Sequence, residues 1–209
     1  MSNAIAEHEV RAHVAAGVGG RARIGVFGGT FDPIHNGHLA AASWAASQLD
    51  LETVMMVLAG DPWQKCEQTV TPAEERWEML LAACESSEQL IPNRMELDRH
   101  GPSYTVDTLE ALADHGDLVL ILGADAAAGL DTWHRAAEID QLAEIAVVDR
   151  KGQLDLVGRR GWIPVEMPRI DISSTLIRER LSVGFEVAGL VPPAVEAIIH
   201  AKRMYEAAD

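Results

Sequence analysis

The sequence predicts an α/β protein, a Rossmann-like doubly wound parallel sheet in a single domain with a C-terminal helical portion. Uninterrupted apolar runs of strand length recur at Ile24–Phe27, Thr53–Ala59, Asp117–Gly123 and Glu144–Val148. Runs of this kind, apolar on both faces, are buried strands of a parallel sheet. Helix-favouring stretches separate them, and that alternation makes one parallel sheet covered on both sides. A length of 209 residues fits one domain with a substantial core. Residues 1–21, rich in Ala and Gly without a sustained period, are expected to be an N-terminal extension with a loose helix over 5–16. The globular domain is expected over 22–206.

Composition narrows the function. The formal net charge is −15, which argues against general nucleic-acid binding, because phosphate backbones demand clustered Lys and Arg. An anionic substrate must be held by a few local cations and backbone donors. Cys66 and Cys84, the two cysteines, are too few for a disulfide framework. No apolar run approaches a membrane span, and the N-terminus lacks a basic-plus-apolar leader pattern. The expectation is a soluble cytoplasmic protein whose oligomeric state the sequence leaves open.

Chemistry concentrates in IGVFGGTFDPIHNGHL, residues 24–39. The strand Ile24–Phe27 runs into Gly28-Gly29-Thr30, where residues without Cβ atoms let the chain turn and present N–H groups. Asp32-Pro33 and Asn36-Gly37 add turn signals. The alanine-rich stretch that follows starts a helix near Gly37. The unpaired N–H groups and dipole of a first helical turn make an anion site. His35 and His38 flank that start, so both imidazoles can face one phosphate. One capping histidine beside a surface one is the alternative; a pair fixed next to a glycine turn favours the phosphate. Neither commoner phosphate loop is present: residues 25–29 lack the G-x-G-x-x-G spacing, and no G-x-x-x-x-G-K-[ST] occurs.

The other elements follow in order. After the strand Thr53–Ala59, Gly60-Asp61-Pro62-Trp63-Gln64-Lys65 forms a loop at the carboxyl edge of the sheet, where open α/β sheets bind ligands. Lys65 is thereby a candidate phosphate contact. Thr71-Pro72-Ala73-Glu74 reads as a helix start with Thr71 as N-cap and Pro72 next. Trp77, Leu80, Leu81 and Cys84 follow as core positions. A short strand is expected near Met95–Leu97. Ser103 is placed to cap a helix that turns Leu109 and Leu112 inward, with Asp107 at its positive end.

The strand Asp117–Gly123 delivers Gly123-Ala124-Asp125 to the same edge ahead of a short helix. A carboxylate there can accept ribose hydroxyls or help organise a magnesium shell. Another helical stretch begins at Thr132-Trp133-His134, Glu144–Val148 is the next strand, and Trp162–Met167 holds the last. Ile172-Ser173-Ser174-Thr175-Leu176-Ile177-Arg178 opens a helix. Its two hydroxyls, its N–H groups and an arginine one turn later make a second phosphate-binding start. A C-terminal helix from about Ala194 to Tyr205 packs through Val195, Ile198, Ile199 and Met204.

GGTFDPIHNGH at 28–38 resembles the signature of the nucleotidyltransferases whose motif is His/Thr-x-Gly-His, in particular the bacterial nicotinate-mononucleotide adenylyltransferases. The resemblance extends over about residues 22–206. Tyr104-Thr105-Val106-Asp107-Thr108-Leu109 and Gly123-Ala124-Asp125 belong to it, and Ile172 to Arg178 matches the family's Ile-Ser-Ser-Thr-x-Ile-Arg residue for residue. It implies adenylyl transfer from ATP to nicotinate mononucleotide in NAD biosynthesis, with Mg²⁺ bound alongside ATP and no metal held by the protein. It further implies that His35, His38, Arg178 and Lys65 are catalytic. Gly28, Gly29, Thr30, Phe31, Asp125, Ile172, Ser173 and Ser174 are the implied ATP contacts. Tyr104, Thr105 and Trp133 are the implied pyridine-nucleotide site, with Trp133 stacked on the nicotinate ring. Where the family often has Ser-Arg-Pro-Gly, this chain has Asp149-Arg150-Lys151-Gly152, which leaves the role of Arg150 open. Two alternatives stay open. The acceptor could be nicotinamide mononucleotide or phosphopantetheine, or the chain a non-catalytic nucleotide sensor, which would need the glycine turn but not both histidines with Arg178.

Overall fold

The computed structural model describes residues 21–60, 70–99, 101–148 and 161–207. Six strands, β1 (Arg23–Gly29), β2 (Thr53–Leu58), β3 (Leu90–Asn93), β4 (Asp117–Gly123), β5 (Glu144–Val148) and β6 (Ile163–Val165), form one sheet in the order 3-2-1-4-5-6. Every pairing is parallel. The order reverses between β1 and β4, which run side by side from Arg23↔Asp117 to Val26↔Leu120. At such a reversal the loops leaving the two strands diverge and open a crevice at their carboxyl ends.

Eight α-helices cover the sheet: α1 (Asn36–Gln48), α2 (Ala73–Cys84), α3 (Met95–Asp98), α4 (Thr105–Leu112), α5 (Ala124–Ala128), α6 (Ala136–Leu142), α7 (Ser174–Ser182) and α8 (Pro193–Ala201) among the described residues. Strand periodicity sorts the core in two. Met56 and Leu58 pack with Phe31, Ala45, Met79, Ile177 and Ile199, the side of α1, α2, α7 and α8. Met55 and Val57 point the other way, onto Val106, Leu109, Leu130 and Ile139 of α4 to α6. All of β2 is buried, as a strand covered on both faces must be.

Several local expectations are corrected. The N-cap of α2 is Pro72, with no side-chain cap, rather than Thr71. Its buried stripe is Arg76, Met79, Leu80, Ala83 and Cys84; Leu81 falls one step off that stripe and is 45% exposed. The strand expected at Met95–Leu97 lies earlier, as β3. Asn93 Oδ1 accepts the Met95 N–H at 2.9 Å and turns the chain into the single turn of α3. Ser103 does not cap α4, whose N-cap is Tyr104. Trp133 and His134 lie between a 3₁₀ turn, Leu130–Thr132, and α6, with Arg135 in the left-handed region at φ 53°. The last helix stops at Ala201, and Met204 reaches the core from a turn. The N-terminal helix expectation, Lys65, Cys66 and Arg150 fall outside the described residues.

Candidate active site

The crevice at the β1/β4 reversal is a cavity of ≈ 180 Å³. Gly28, Gly29 and Thr30 line it from β1, Leu122 and Gly123 from β4, Tyr104, Thr105 and Thr108 from α4, and Trp133 and His134 from the loop before α6. A Cβ at Gly28 or Gly123 would meet nothing within 4 Å, so the ends of both strands are bare backbone facing open space. Gly29 has a different reason: a Cβ there would stand 2.6 Å from the Phe31 ring. Phe31 folds back beneath the loop, buried, with φ 47°. The Tyr104 and His134 rings stack at 4.2 Å, and both belong to the cavity wall.

The loop from β1 to α1 carries the two histidines. His35 is the N-cap of α1, 1% exposed, and its ring lies flat on that of His38, centroids 3.6 Å apart. His35 Nδ1 accepts the His38 N–H and His38 Nδ1 accepts the His35 N–H, each at 3.3 Å. Because Nδ1 is the acceptor in both, each neutral ring carries its proton on Nε2. Glycine at 37 suits this pair, since a Cβ would press on the His35 ring at 3.1 Å. Phe31 meets His38 edge-on at 5.1 Å.

The start of α7 docks on the same loop. Ser173 caps α7 by accepting the Leu176 N–H at 3.1 Å. Ser174 Oγ donates to Pro33 O at 3.0 Å, and Arg178 Nη1 donates to Asp32 O at 2.7 Å. The two phosphate-binding helix starts read from the sequence are therefore adjacent in space. With the Arg178 guanidinium they form one polar cluster on the α1/α7 side of the loop, while Gly28–Thr30 of the same loop lines the cavity.

A family model described as cytidylyltransferase-like matches residues 26–180, from within β1 to within α7. The chain belongs to the cytidylyltransferase-like family. Similar members include a probable nicotinate-nucleotide adenylyltransferase of Acidothermus cellulolyticus, 43% identical over 204 residues, 91% of this chain and 98% of that one. The protein of the same name from Thermus thermophilus is 43% identical over 186 residues, 88% of this chain and 99% of its own. In structure the chain resembles Plasmodium falciparum nicotinic acid mononucleotide adenylyltransferase complexed with NaAD, with a TM-score of 0.73 at 17% identity, covering 88% of this chain and 97% of that one. The complex of the P. falciparum enzyme with APC gives 0.71 at 18% identity. The resemblance read from the motifs thus extends to relatives matched along nearly their whole length.

Of the residues singled out in this cytidylyltransferase-like chain, Tyr104, Thr105 and Trp133 share one cavity with Gly28, Gly29 and Thr30. His35, His38, Ser173, Ser174 and Arg178 gather around Asp32 and Pro33, with Ile172 beside Gly37. Asp125 stands exposed in the first turn of α5, outside the cavity wall.

Three residues outside the motifs, Arg76, Glu96 and Tyr205, also shape the site, together with Asp32 of the motif loop. Arg76, 2% exposed, donates to the carbonyls of Thr71, Thr30, Ala59 and Gly60, joining the loops that leave β1 and β2. Asp32, buried nearby, accepts the Tyr205 hydroxyl at 2.7 Å and the Thr71 N–H at 3.3 Å. Burial pushes the Arg76 guanidinium down from its ordinary value, and Asp32 pulls it back. An arginine on the apolar stripe of α2 was the signal that could have found this brace. Glu96 and Tyr205 have no comparable signal in the sequence.

Proposed function

We propose that the chain transfers the adenylyl group of ATP to nicotinate mononucleotide, releasing pyrophosphate and nicotinate adenine dinucleotide. The observation that carries this reading is the pairing of an aromatic-walled cavity with a donor-rich phosphate cluster on the two sides of one loop, Gly28–Pro33. Trp133 and Tyr104 offer ring faces to the pyridine. His35, His38 and Arg178 offer N–H donors to the phosphates.

The 5′-phosphate of the mononucleotide is already an anion at neutral pH, so it attacks the α-phosphorus without a catalytic base. The protein's work is to align two polyanions in line and to neutralise the charge that develops. His35 and His38 are assigned to the α-phosphate and the Arg178 fork to the phosphates that leave. Lys65, downstream of β2, is assigned to the same phosphates, and Asp125 to the ribose hydroxyls. The described residues hold no group of three or more His, Cys, Asp or Glu side chains suited to a metal ion. Mg²⁺ is assigned to enter with ATP as part of the substrate, and none of the residue roles above depends on a protein-held ion.

Acid selectivity comes from backbone donors. The first turn of α4 has no side-chain cap, so its N–H groups near Thr105 are available to the nicotinate carboxylate. Charge-assisted hydrogen bonds favour the carboxylate over the amide. No helix among the described residues is long and apolar enough to cross a membrane. The test is pyrophosphate release from ATP with nicotinate mononucleotide, nicotinamide mononucleotide and phosphopantetheine in parallel. The acid mononucleotide should be the best acceptor; preference for phosphopantetheine, or release with none of the three, overturns the reading.

A further inference from the structure

Glu96 is the one carboxyl in the cavity wall among the described residues, 8% exposed. The proposed reaction makes no use of it. Thr108 Oγ1 donates to Glu96 Oε1 at 2.7 Å, and the Ser103 hydroxyl also hydrogen-bonds the carboxyl. Ser103 Oγ accepts the Gly60 N–H at 3.0 Å. A Cβ at Gly60 would stand 2.7 Å from Glu96 O, so glycine brings the backbone beyond β2 directly against α3. The turn of α3, the entry to α4 and its first turns therefore meet at the Glu96 carboxyl, and Ser103 ties the exit from β2 to them.

The arrangement has a consequence for α4. A serine just ahead of a helix ordinarily caps it. Here the Ser103 hydroxyl is committed to Glu96 and Gly60, and α4 begins without a side-chain cap. Its first N–H groups have no side-chain partner and are open to water or a ligand. Burial raises the Glu96 carboxyl above its ordinary range while the two hydroxyls draw it back. A carboxyl kept in a cavity wall against that desolvation cost is the pattern of a working group.

We propose that Glu96 is a positioning residue that sets specificity for the acid substrate: by holding Ser103 and Thr108 it aims the uncapped start of α4 at the substrate carboxylate. The role rests on the functional reading above. A merely structural brace would affect the acid and the amide mononucleotides alike. A positioning role acts on the charge-assisted bonds that only the acid makes.

The experiment measures kcat and KM of the full chain, wild type, Glu96→Ala and Glu96→Gln, with ATP, nicotinate mononucleotide and nicotinamide mononucleotide. Glu96→Ala should raise KM for the acid and lower the acid-over-amide ratio of kcat/KM by about tenfold, the scale of one weakened charge-assisted hydrogen bond. KM for ATP should stay within about twofold, a change too small to reflect a lost contact. Glu96→Gln should recover most of the ratio, because its amide can still engage both hydroxyls. If Glu96→Ala does not fold, Thr108→Val takes its place and should move the ratio the same way by about threefold, the scale of one neutral hydrogen bond. An unchanged ratio in the folded variant, or equal losses on both mononucleotides, overturns the role of Glu96 alone. A wild-type enzyme that uses neither mononucleotide overturns the functional reading and this role with it.

Discussion

The starts of α1 and α4 treat the first N–H groups of a helix beside the proposed ligand site in opposite ways. At α1 the chain closes the turn with its own imidazoles, each Nδ1 taking a backbone N–H. In the proposed reaction the imidazoles of this turn act as side-chain donors. At α4 the available hydroxyl is drawn away to Glu96, no side chain caps the turn, and the backbone N–H groups themselves are presented. Side-chain donors can be removed by substitution, whereas backbone donors can only be misaimed. Damage at α1 should therefore appear in kcat, where charge develops, and damage around α4 in the KM of one substrate.

The largest effect is expected at α1. His38→Ala should lower kcat by roughly two to four orders of magnitude, the scale of losing a major electrostatic donor, with KM for ATP changed far less. Near-normal kcat would remove His38 from the mechanism. Arg76 joins the two halves of the comparison, bonding Thr30 on the α1 side and Ala59 and Gly60 on the α4 side. Arg76→Met strands those carbonyls, so stability in urea should fall by about 3 kcal/mol. Both kcat and KM for nicotinate mononucleotide should worsen; if neither moves in the folded fraction, the brace does not reach the site.

Much of the α1 half was legible in the sequence because its chemistry is local. Gly28 to His38 are contiguous, and the turn, the histidine pair and the helix start all follow from neighbours in the chain. Strands such as Thr53–Leu58 were legible for a similar reason, since full burial leaves an unbroken apolar run. The α4 half depends on contacts between distant segments. Ser103 looks like a cap until Gly60 and Glu96 are beside it, and Leu81 looks like core until α2 is oriented by Arg76. Tyr205 reaches Asp32 from the far end of the chain, a pairing that no local pattern encodes.

Smaller effects sharpen the contrast. Arg178→Lys keeps the charge but loses the planar fork, so ATP affinity by titration should weaken about tenfold. Equal affinity and equal turnover would place Arg178 outside the site. Trp133→Ala should raise KM for nicotinate mononucleotide several-fold, about 1 kcal/mol of lost stacking, with ATP binding nearly intact. The acid-over-amide ratio should survive that change, because the donors at α4 remain. An unaltered KM would make Trp133 a packing residue and move the pyridine elsewhere.

The central claim is that this site works by alignment and charge, with the substrate phosphate itself as the nucleophile. Histidines assigned to the phosphates invite the opposite mechanism, a covalent adenylyl-imidazole. The stereochemical course at the α-phosphorus separates the two. With ATP carrying one sulfur stereoisomer at the α-phosphate and nicotinate mononucleotide as acceptor, the account predicts inversion of configuration in the dinucleotide product, the mark of one in-line displacement. Retention would mean two displacements through an adenylylated side chain, and would contradict it.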